Sequence, residues 1–399
     1  MHKIERLLQT LAPKGVEFRK LGEVINILKG KQLNKELLLD YGEYPVMNGG
    51  IHASGYWNEY NTDYPKIIIS QGGASAGYVN YMTSKFWAGA HCYAIELNSE
   101  KLNYKFLYYF LKNSQTILMK SQFGAGIPAL NKADIETLTI PIPPLEVQQE
   151  IVKILDAFTE LNTELNTELK ARKKQYQYYQ NMLLDFNDIN QNHKDAKIKT
   201  YPKRLKTLLQ TLAPKGVEFR KLGEVCEILD NRRIPIAKNK RNPGIYPYYG
   251  ANGIQDYIDS YIFDGDFVLV GEDGSVINKD NTPVVNWASG KIWVNNHAHV
   301  LQTKNELKLK FLYFYLQTID VSYCVAGTPP KINQENLKKI TIPIPPLEIQ
   351  QEIVKILDQF LALTTDLLAG IPAEIKARKK QYEYYREKLL SFKPLHNKA

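Results

Sequence analysis

Few residues in this chain stand at spacings suited to covalent chemistry. His297 and His299 lie two apart in KIWVNNHAHVL (291–301), a run whose β-branched and aromatic content predicts a strand. Both imidazoles would then share one face, as two metal ligands must. No third ligand stands at a matching spacing, so a structural histidine is the plainer reading and no metal site is assigned. Glu306-Leu307-Lys308 carries an acid-x-lysine fragment, but no second acid is suitably placed. There is no GxxxxGKS/T phosphate loop and no GxGxxG after a strand. The aromatic-flanked Asp/Asn-Pro-Pro motif of amino-methyltransferases is also missing. No catalytic residue is assigned.

Polyanion contact has better candidates. LDNRRIPIAKNKRNPG (229–244) places Arg232, Arg233, Lys238, Lys240 and Arg241 between two strand-like runs. LKGKQLNKE (28–36) places Lys29, Lys31, Gln32 and Lys35 at the corresponding point of the first half. Such loops suit phosphate contact, while readout of sequence needs Arg, Lys, Asn or Gln at base edges. Two glycine-rich loops, SQGGASAG (70–77, with Gln71 and Ser75) and GEDGSV (271–276, with Glu272, Asp273 and Ser275), permit close backbone approach. FGAGIPALNKAD (123–134) adds Lys132, and VAGTPPKINQEN (325–336) adds Lys331, Asn333 and Gln334. For each loop the blander account is a solvated turn or a helix entry.

These loops sit in a duplicated frame. Residues 7–24, LLQTLAPKGVEFRKLGEV, recur unchanged at 208–225, identical at all 18 positions. TIPIPPLEVQQEIVKILD (139–156) recurs at 341–358 with one change, Val147 against Ile349. KARKKQYQYY (170–179) returns as KARKKQYEYY (376–385). Between the frames lie inserts of 113 residues (25–137) and 114 residues (226–339), mostly different in sequence yet sharing landmarks. Lys85-Phe86-Trp87…His91 answers Lys291-Ile292-Trp293…His297. A fixed frame around variable inserts describes a holder presenting two specificities.

IPIPPLE opens a helix, because proline is tolerated only at its first positions. Ile151, Leu155, Phe158, Leu161, Leu165, Leu169, Tyr176, Tyr179 and Leu183 then follow a 3–4 spacing with one gap at Arg172, a coiled-coil seam. About 40 residues make a rod of about 60 Å. A second rod carries Ile353, Leu357, Phe360, Tyr382 and Tyr385, with Gly370 and Pro372 predicting a kink. Each rod is expected to take the other as its antiparallel partner; docking of each on its own insert is the alternative. Identical KARKKQY segments, with Arg172 and Arg378, cannot distinguish two half-sites and should meet something shared, either a repeated protein partner or phosphates. ELNTELNTEL (160–169) is a four-residue tandem unit within the first rod. One unit is worth about 6 Å and about 40° of turn.

Composition fits this reading. Lys+Arg 51 against Asp+Glu 42 gives a net charge of +9, compatible with nucleic acid but weak alone. Three distant cysteines form no CxxC, MHKIERLLQTLAPKG lacks a signal-peptide core, and no apolar run approaches 18 residues. The expectation is an intracellular, cytoplasmic protein without membrane association.

Taken together, the recurring IPIPPLEVQQEIV and IPIPPLEIQQEIV entries, the NGI of residues 252–254 and FDGDFVLVGEDG (263–274) resemble a specificity subunit of a type I restriction–modification enzyme, over nearly the whole chain. The resemblance implies an α+β fold: two globular target recognition domains joined by two long antiparallel helices in pseudo-two-fold arrangement. The expected layout is recognition domain 1 at 1–138, conserved helix 1 at 139–186, a linker at 187–206, recognition domain 2 at 207–340 and conserved helix 2 at 341–392. It further implies that each domain reads one half of a split, asymmetric double-stranded DNA site. Two modification subunits, and restriction subunits in the full complex, would be the partners. S-adenosylmethionine, ATP and Mg would belong to those partners, with no cofactor and no catalysis in this chain. Spacing and docking would fall to Ile151, Leu155, Phe158, Arg172, Tyr176, Tyr179, Ile353, Leu357, Phe360, Arg378, Tyr382 and Tyr385. An orphan DNA binder is the alternative. Ser70-Gln71-Gly72-Gly73 stands where the second half has Gly271-Glu272-Asp273-Gly274, a departure from the pattern in the first domain.

Overall fold

The computed structural model describes residues 2–124, 126, 128–186, 201–365 and 370–395. It divides into two compact units, residues 1–166 with 374–399, and residues 167–373. The described strands are numbered in chain order.

In the first unit β1 (Glu17–Lys20) pairs antiparallel with β9 (Thr139–Ile142). β2 (Ile25–Lys29), β8 (Cys92–Leu97), β5 (Lys66–Ser70) and β6 (Val79–Met82) form a four-stranded sheet in that order. β4 (Gly55–Trp57), β3 (Tyr44–Met47) and β7 (Trp87–Ala88) form a three-stranded one. Ile67, Ile68 and Ile69 are consecutive and all buried because β5 is covered on both faces. Ile67 and Ile69 face Phe106 and Leu107 of the helix Tyr104–Asn113, and Ile68 faces Met47 and Phe86.

The second unit repeats the plan. β10 (Glu218–Lys221) pairs with β17 (Thr341–Ile344). β11 (Cys226–Ile228), β16 (Ala298–Thr303), β14 (Phe263–Gly271), β15 (Val285–Val294), β12 (Pro243–Gly250) and β13 (Gly253–Ile258) form a six-stranded sheet in that order. Val268 and Val270 enter one core while Phe267 and Leu269 enter another, the period-2 alternation of a strand.

The frame departs from the expected layout at its entries. TIPI at 139–142 and at 341–344 is strand, paired to EFRK, and helix begins only at Leu145 and Leu347. Proline donates no N–H, so Pro141 and Pro343 fit a two-stranded edge and not a helix interior. Residues 187–200 of the expected linker lie outside the described residues, and its last residues, from Lys203, open the helix Lys203–Leu212. The first rod is the unbroken helix Leu145–Leu184, 40 residues, as its periodicity requires. The second is the helix Leu347–Thr365 and the helix Ile371–Leu389, with Gly370 in a bend before the latter and Pro372 in its first turn.

Both packing expectations for the rods hold at once. In the first unit Val147, Ile151 and Leu155 join the insert core, which also holds Leu389 and Leu390 of the second rod's end. There Phe158 stacks on Tyr385 at 5.5 Å, whereas the later Tyr179 meets the earlier Phe360, so the rods run antiparallel. In the second unit Tyr179 stacks on Phe360 at 5.1 Å, and Leu183 and Phe186 share a core with Ile353 and Leu357. Among the described residues no helix is long and apolar enough to cross a membrane.

Candidate nucleic-acid interface

Each unit brings three of the singled-out loops together at the ends of its central strands. In the first, the segment after β2 is tied to the turn between β7 and β8: Gly30 N–H donates to Cys92 O (2.9 Å) and Lys31 N–H to Ala88 O (2.8 Å). The glycine-rich loop after β5 joins the same turn, Gln71 N–H donating to His91 O at 2.9 Å. The loop before the rod closes the group through Leu130 N–H to Gln71 O (2.8 Å) and Gly73 N–H to Pro128 O (2.8 Å). Tyr93, on β8, adds its hydroxyl to Leu130 O at 3.3 Å. Gly73 has φ +80, a conformation that favours glycine.

The second unit repeats these backbone bonds. Glu272 N–H donates to His297 O (2.9 Å), Ile332 N–H to Glu272 O (2.9 Å), and Gly274 N–H, at φ +77, to Pro330 O (3.1 Å). Its side chains differ. His299, where the first unit has Tyr93, is fully buried. Its Nδ1 meets Asp230 Oδ2 at 2.6 Å and its Nε2 meets Ile332 O at 2.8 Å. Arg233 donates from Nη1 to Glu272 Oε2 (2.6 Å) and Ala298 O (2.8 Å), and its Nη2 lies 3.4 Å from Asp230 Oδ2. Lys331 Nζ reaches Glu272 Oε1 at 3.1 Å. Burial pushes the Asp230 carboxyl upward, but hydrogen bonding and charge from His299, the Arg233 charge and the Val300 N–H outweigh it, leaving the group below its ordinary range.

Equivalent positions explain the difference. Gly30 occupies the place of Arg233, and a Cβ there would fall 2.1 Å from Gly89 O. Gln71 stands for Glu272 and carries a buried Oε1 with no hydrogen-bond partner. One half is fastened by a neutral hydroxyl, the other by five ionisable groups.

The predicted contact residues sort by orientation. Lys29, Lys31, Gln32, Lys35, Lys132, Arg232, Lys238, Lys240, Ser275, Lys331 and Asn333 are exposed. Arg232 also donates to Ile262 O and lies over Phe263, Lys132 pairs with Glu136, and Asn333 caps the helix Gln334–Lys339. Gln71, Ser75 and Asp273 are half-buried. Arg233 and Glu272 are turned inward into the network, and Arg241 covers Tyr248 and donates to Ile236 O. These three brace loops, with only 11–13% of each side chain left exposed.

The histidine reading needs correction. His297 and His299 do not share a strand face, because the predicted strand breaks at Asn295–His297; only His299 lies on β16, and His297 is in the turn. Gly89–His91 breaks the first-half run between β7 and β8 in the same way. Asp230, Glu272 and His299 form the group of potential metal ligands among the described residues. Arg233 and Lys331 already neutralise those carboxylates and both His299 nitrogens are engaged, so the set is an ion-pair network. Glu306-Leu307-Lys308 is equally structural: Glu306 pairs with Arg220 at 2.5 Å and Leu307 is buried.

Two residues missed by sequence reasoning join loops to rods. Gln148 is fully buried; its Nε2 donates to Pro143 O (2.7 Å) and Lys101 O (2.8 Å), and its Oε1 accepts from Asn103 N–H (2.7 Å). Gln350 repeats this with Pro345 O, Glu306 O and Lys308 N–H at 2.7, 2.9 and 2.8 Å. A glutamine just after a proline pair, present in both copies, was the available signal.

The rod assignments divide. Ile151, Leu155, Ile353 and Leu357 are buried in the cores of their own units, so they fasten rods to inserts and offer nothing to an outside partner. Phe158, Tyr382 and Tyr385 pack together, as do Tyr176 and Tyr179 against the second unit's core. Arg172 pairs with Glu168, and Arg378 with Glu374. The exposed lysines of the repeated segment are Lys170, Lys173, Lys174, Lys376, Lys379 and Lys380.

Residues 13–175 and 214–377 each match the family described as the type I restriction modification DNA specificity domain. A candidate type I restriction enzyme specificity subunit of Haemophilus influenzae is 45% identical over 180 residues, 44% of this chain and 46% of that relative. The EcoR124I/EcoR124II specificity subunit of Escherichia coli is 28% identical over 433 residues, 98% of this chain and 97% of the relative. A crystal structure of the S subunit of a type I restriction–modification system from M. genitalium shares the fold, with a TM-score of 0.62 and 21% identity, covering 94% of this chain and 96% of that one.

Proposed function

Because the chain belongs to the type I restriction–modification DNA specificity family, we propose that it reads a split, asymmetric double-stranded DNA site, one half through each insert. The observation that carries this is the convergence of three loops at the same place in both units. Their backbone bonds match, their side chains differ, and exposed cations line them (Lys29, Lys31 and Lys35 in one; Arg232, Lys238 and Lys240 in the other). The exposed lysines supply phosphate contact, which positions a protein without specifying sequence. The unlike loop side chains supply the two specificities. The chain contributes no reacting group: methyl transfer with S-adenosylmethionine, and any ATP- and Mg-dependent cleavage, belong to partner subunits. Two modification subunits dock on the repeated frame, with Lys173, Lys174, Lys379 and Lys380 at its exposed face, and the complex acts in the cytoplasm.

The test is a single-molecule methylome of the source cell with and without this gene. Loss of one split, methylated adenine motif on deletion is the expected result and delivers both half-sites. An unchanged methylome removes the link to a modification partner.

The rod sets the unread spacer. The division between the two compact units falls between Asn166 and Thr167, inside the ELNT repeat. Within the repeat Asn162 Nδ2 donates to Phe158 O and Asn166 Nδ2 to Asn162 O, the same contact recurring one unit later. Deleting Asn162–Leu165 shortens the rod by about 6 Å. That is under two base pairs at about 3.4 Å each. The motif should keep both half-sites and lose one or two spacer positions; an unchanged spacer refutes the role.

A further inference from the structure

His297 belongs to none of the contact sets above, yet the second loop cluster fixes its backbone and one ring nitrogen while its side chain stays exposed. Its N–H donates to Asn295 Oδ1 at 2.8 Å, and its carbonyl accepts from Glu272 N–H at 2.9 Å. Arg233 binds the carbonyls on either side, Asn296 O at 3.4 Å and Ala298 O at 2.8 Å. Asp273 hydrogen-bonds the ring Nδ1. The side chain is nevertheless 48% exposed. A residue whose backbone is fixed on both flanks and whose ring is held at one nitrogen, yet open to solvent, is preorganised for a ligand, since little ordering remains to oppose binding.

The tautomer follows from the partner. A carboxylate only accepts, so Nδ1 carries a hydrogen, and in the neutral form of the ring Nε2 is the acceptor. In the major groove the complementary donors are the amino groups of adenine N6 and cytosine N4.

We propose that His297 reads an amino group of one base in the second half-site through Nε2, with Asp273 as the positioning residue that fixes its tautomer. This rests on the specificity reading above and names a base-reading residue within it. The first half holds the natural counterpart. His91 occupies the equivalent turn, exposed, with its N–H donated to Asn48 Oδ1 at 3.2 Å. Gly72 stands where Asp273 would be, so no carboxylate fixes that ring. A Cβ on Gly72 would lie 3.6 Å from His91 Nδ1, ordinary contact distance, so an aspartate fits there.

The experiment compares methylomes of source cells carrying single variants. His297→Ala should relax one position of the second half-site, roughly tenfold in discrimination, and leave the first half-site and spacer intact. Asp273→Asn can donate to Nδ1 and so permit the opposite tautomer; it should admit a keto base, guanine or thymine, at that same position. A merely structural role for Asp273 would not predict that exchange. Gly72→Asp should sharpen or change one position of the first half-site only. An unchanged second half-site in His297→Ala overturns the proposal. So does loss of methylation across the whole motif, which assigns His297 to folding. Absence of any split motif in the unaltered cell refutes the specificity reading instead, so the two failures are distinguishable.

Discussion

The two loop clusters solve one problem with opposite chemistry. Both must hold a glycine-rich loop, a histidine-bearing turn and a pre-rod loop in fixed register. The first uses backbone bonds and the Tyr93 hydroxyl on Leu130 O. The second adds Asp230, Arg233, Glu272, His299 and Lys331 around the same backbone. Shared backbone bonds thus define the platform, and side chains are free to diverge. The charged version carries more directional constraint, at the cost that removing one member leaves its largely shielded partners short of a counter-charge.

Four measurements sharpen or break that contrast. The largest effect is expected from Arg233→Met, which leaves Asp230 and Glu272, only 8% and 13% exposed at their side chains, with fewer partners. Breaking a buried pair costs about 3–5 kcal/mol. Chemical denaturation should register that loss in the second unit, and hydrogen exchange should rise at 271–276 and 325–333 while 70–77 and 128–131 stay protected. A loss under about 1 kcal/mol would mean that the network contributes no more than exposed pairs do.

Gln148→Leu and Gln350→Leu come next. Each strands a buried N–H and two carbonyls. The cost is about 1–3 kcal/mol per buried group left unpaired. Both variants should lose similar stability, because the frame is the same on both sides. Markedly unequal losses would show that the frames are not energetically equivalent.

Acid should separate the halves more gently. The Asp230 carboxyl sits below its ordinary value in the folded chain. Its stabilisation is therefore full above the unfolded value, about 3.9, and is lost as pH falls through the folded one. Hydrogen exchange followed from pH 5 downward should loosen the second cluster before the first. Loosening of the first cluster before the second would contradict the assignment.

The smallest effect is that of Tyr93→Phe, which removes one hydrogen bond worth about 1 kcal/mol. Thermal unfolding should shift slightly, and His299→Phe should cost more because it strands Asp230. Equal costs would erase the distinction between the clusters.

Much of the fold was legible because it is local. The rod Leu145–Leu184 follows from apolar spacing, its entry from Pro143-Pro144, and the two-unit plan from the repeat itself. The misreadings have a common cause. TIPI looks like the start of a helix until EFRK, over a hundred residues earlier, claims it as a strand. KIWVNNHAHVL reads as one strand until Asn295 folds its side chain onto the His297 N–H. Loops rich in Arg and Lys all read as phosphate contacts, because a sequence does not say which way a guanidinium points.

The residues by themselves determined the duplicated frame, the rods, the variable inserts and the family likeness, all of which rest on periodicity, proline placement and repetition along the chain. Only the tertiary structure decided that Arg233 and Arg241 turn inward while Lys238 and Lys240 stay out, that His299 is sealed in the core, and that Asp273 meets the exposed His297. The physical reason is that charge pairing and desolvation depend on distance in space. Asp230 and His299 are 69 residues apart in the chain and 2.6 Å apart in the fold.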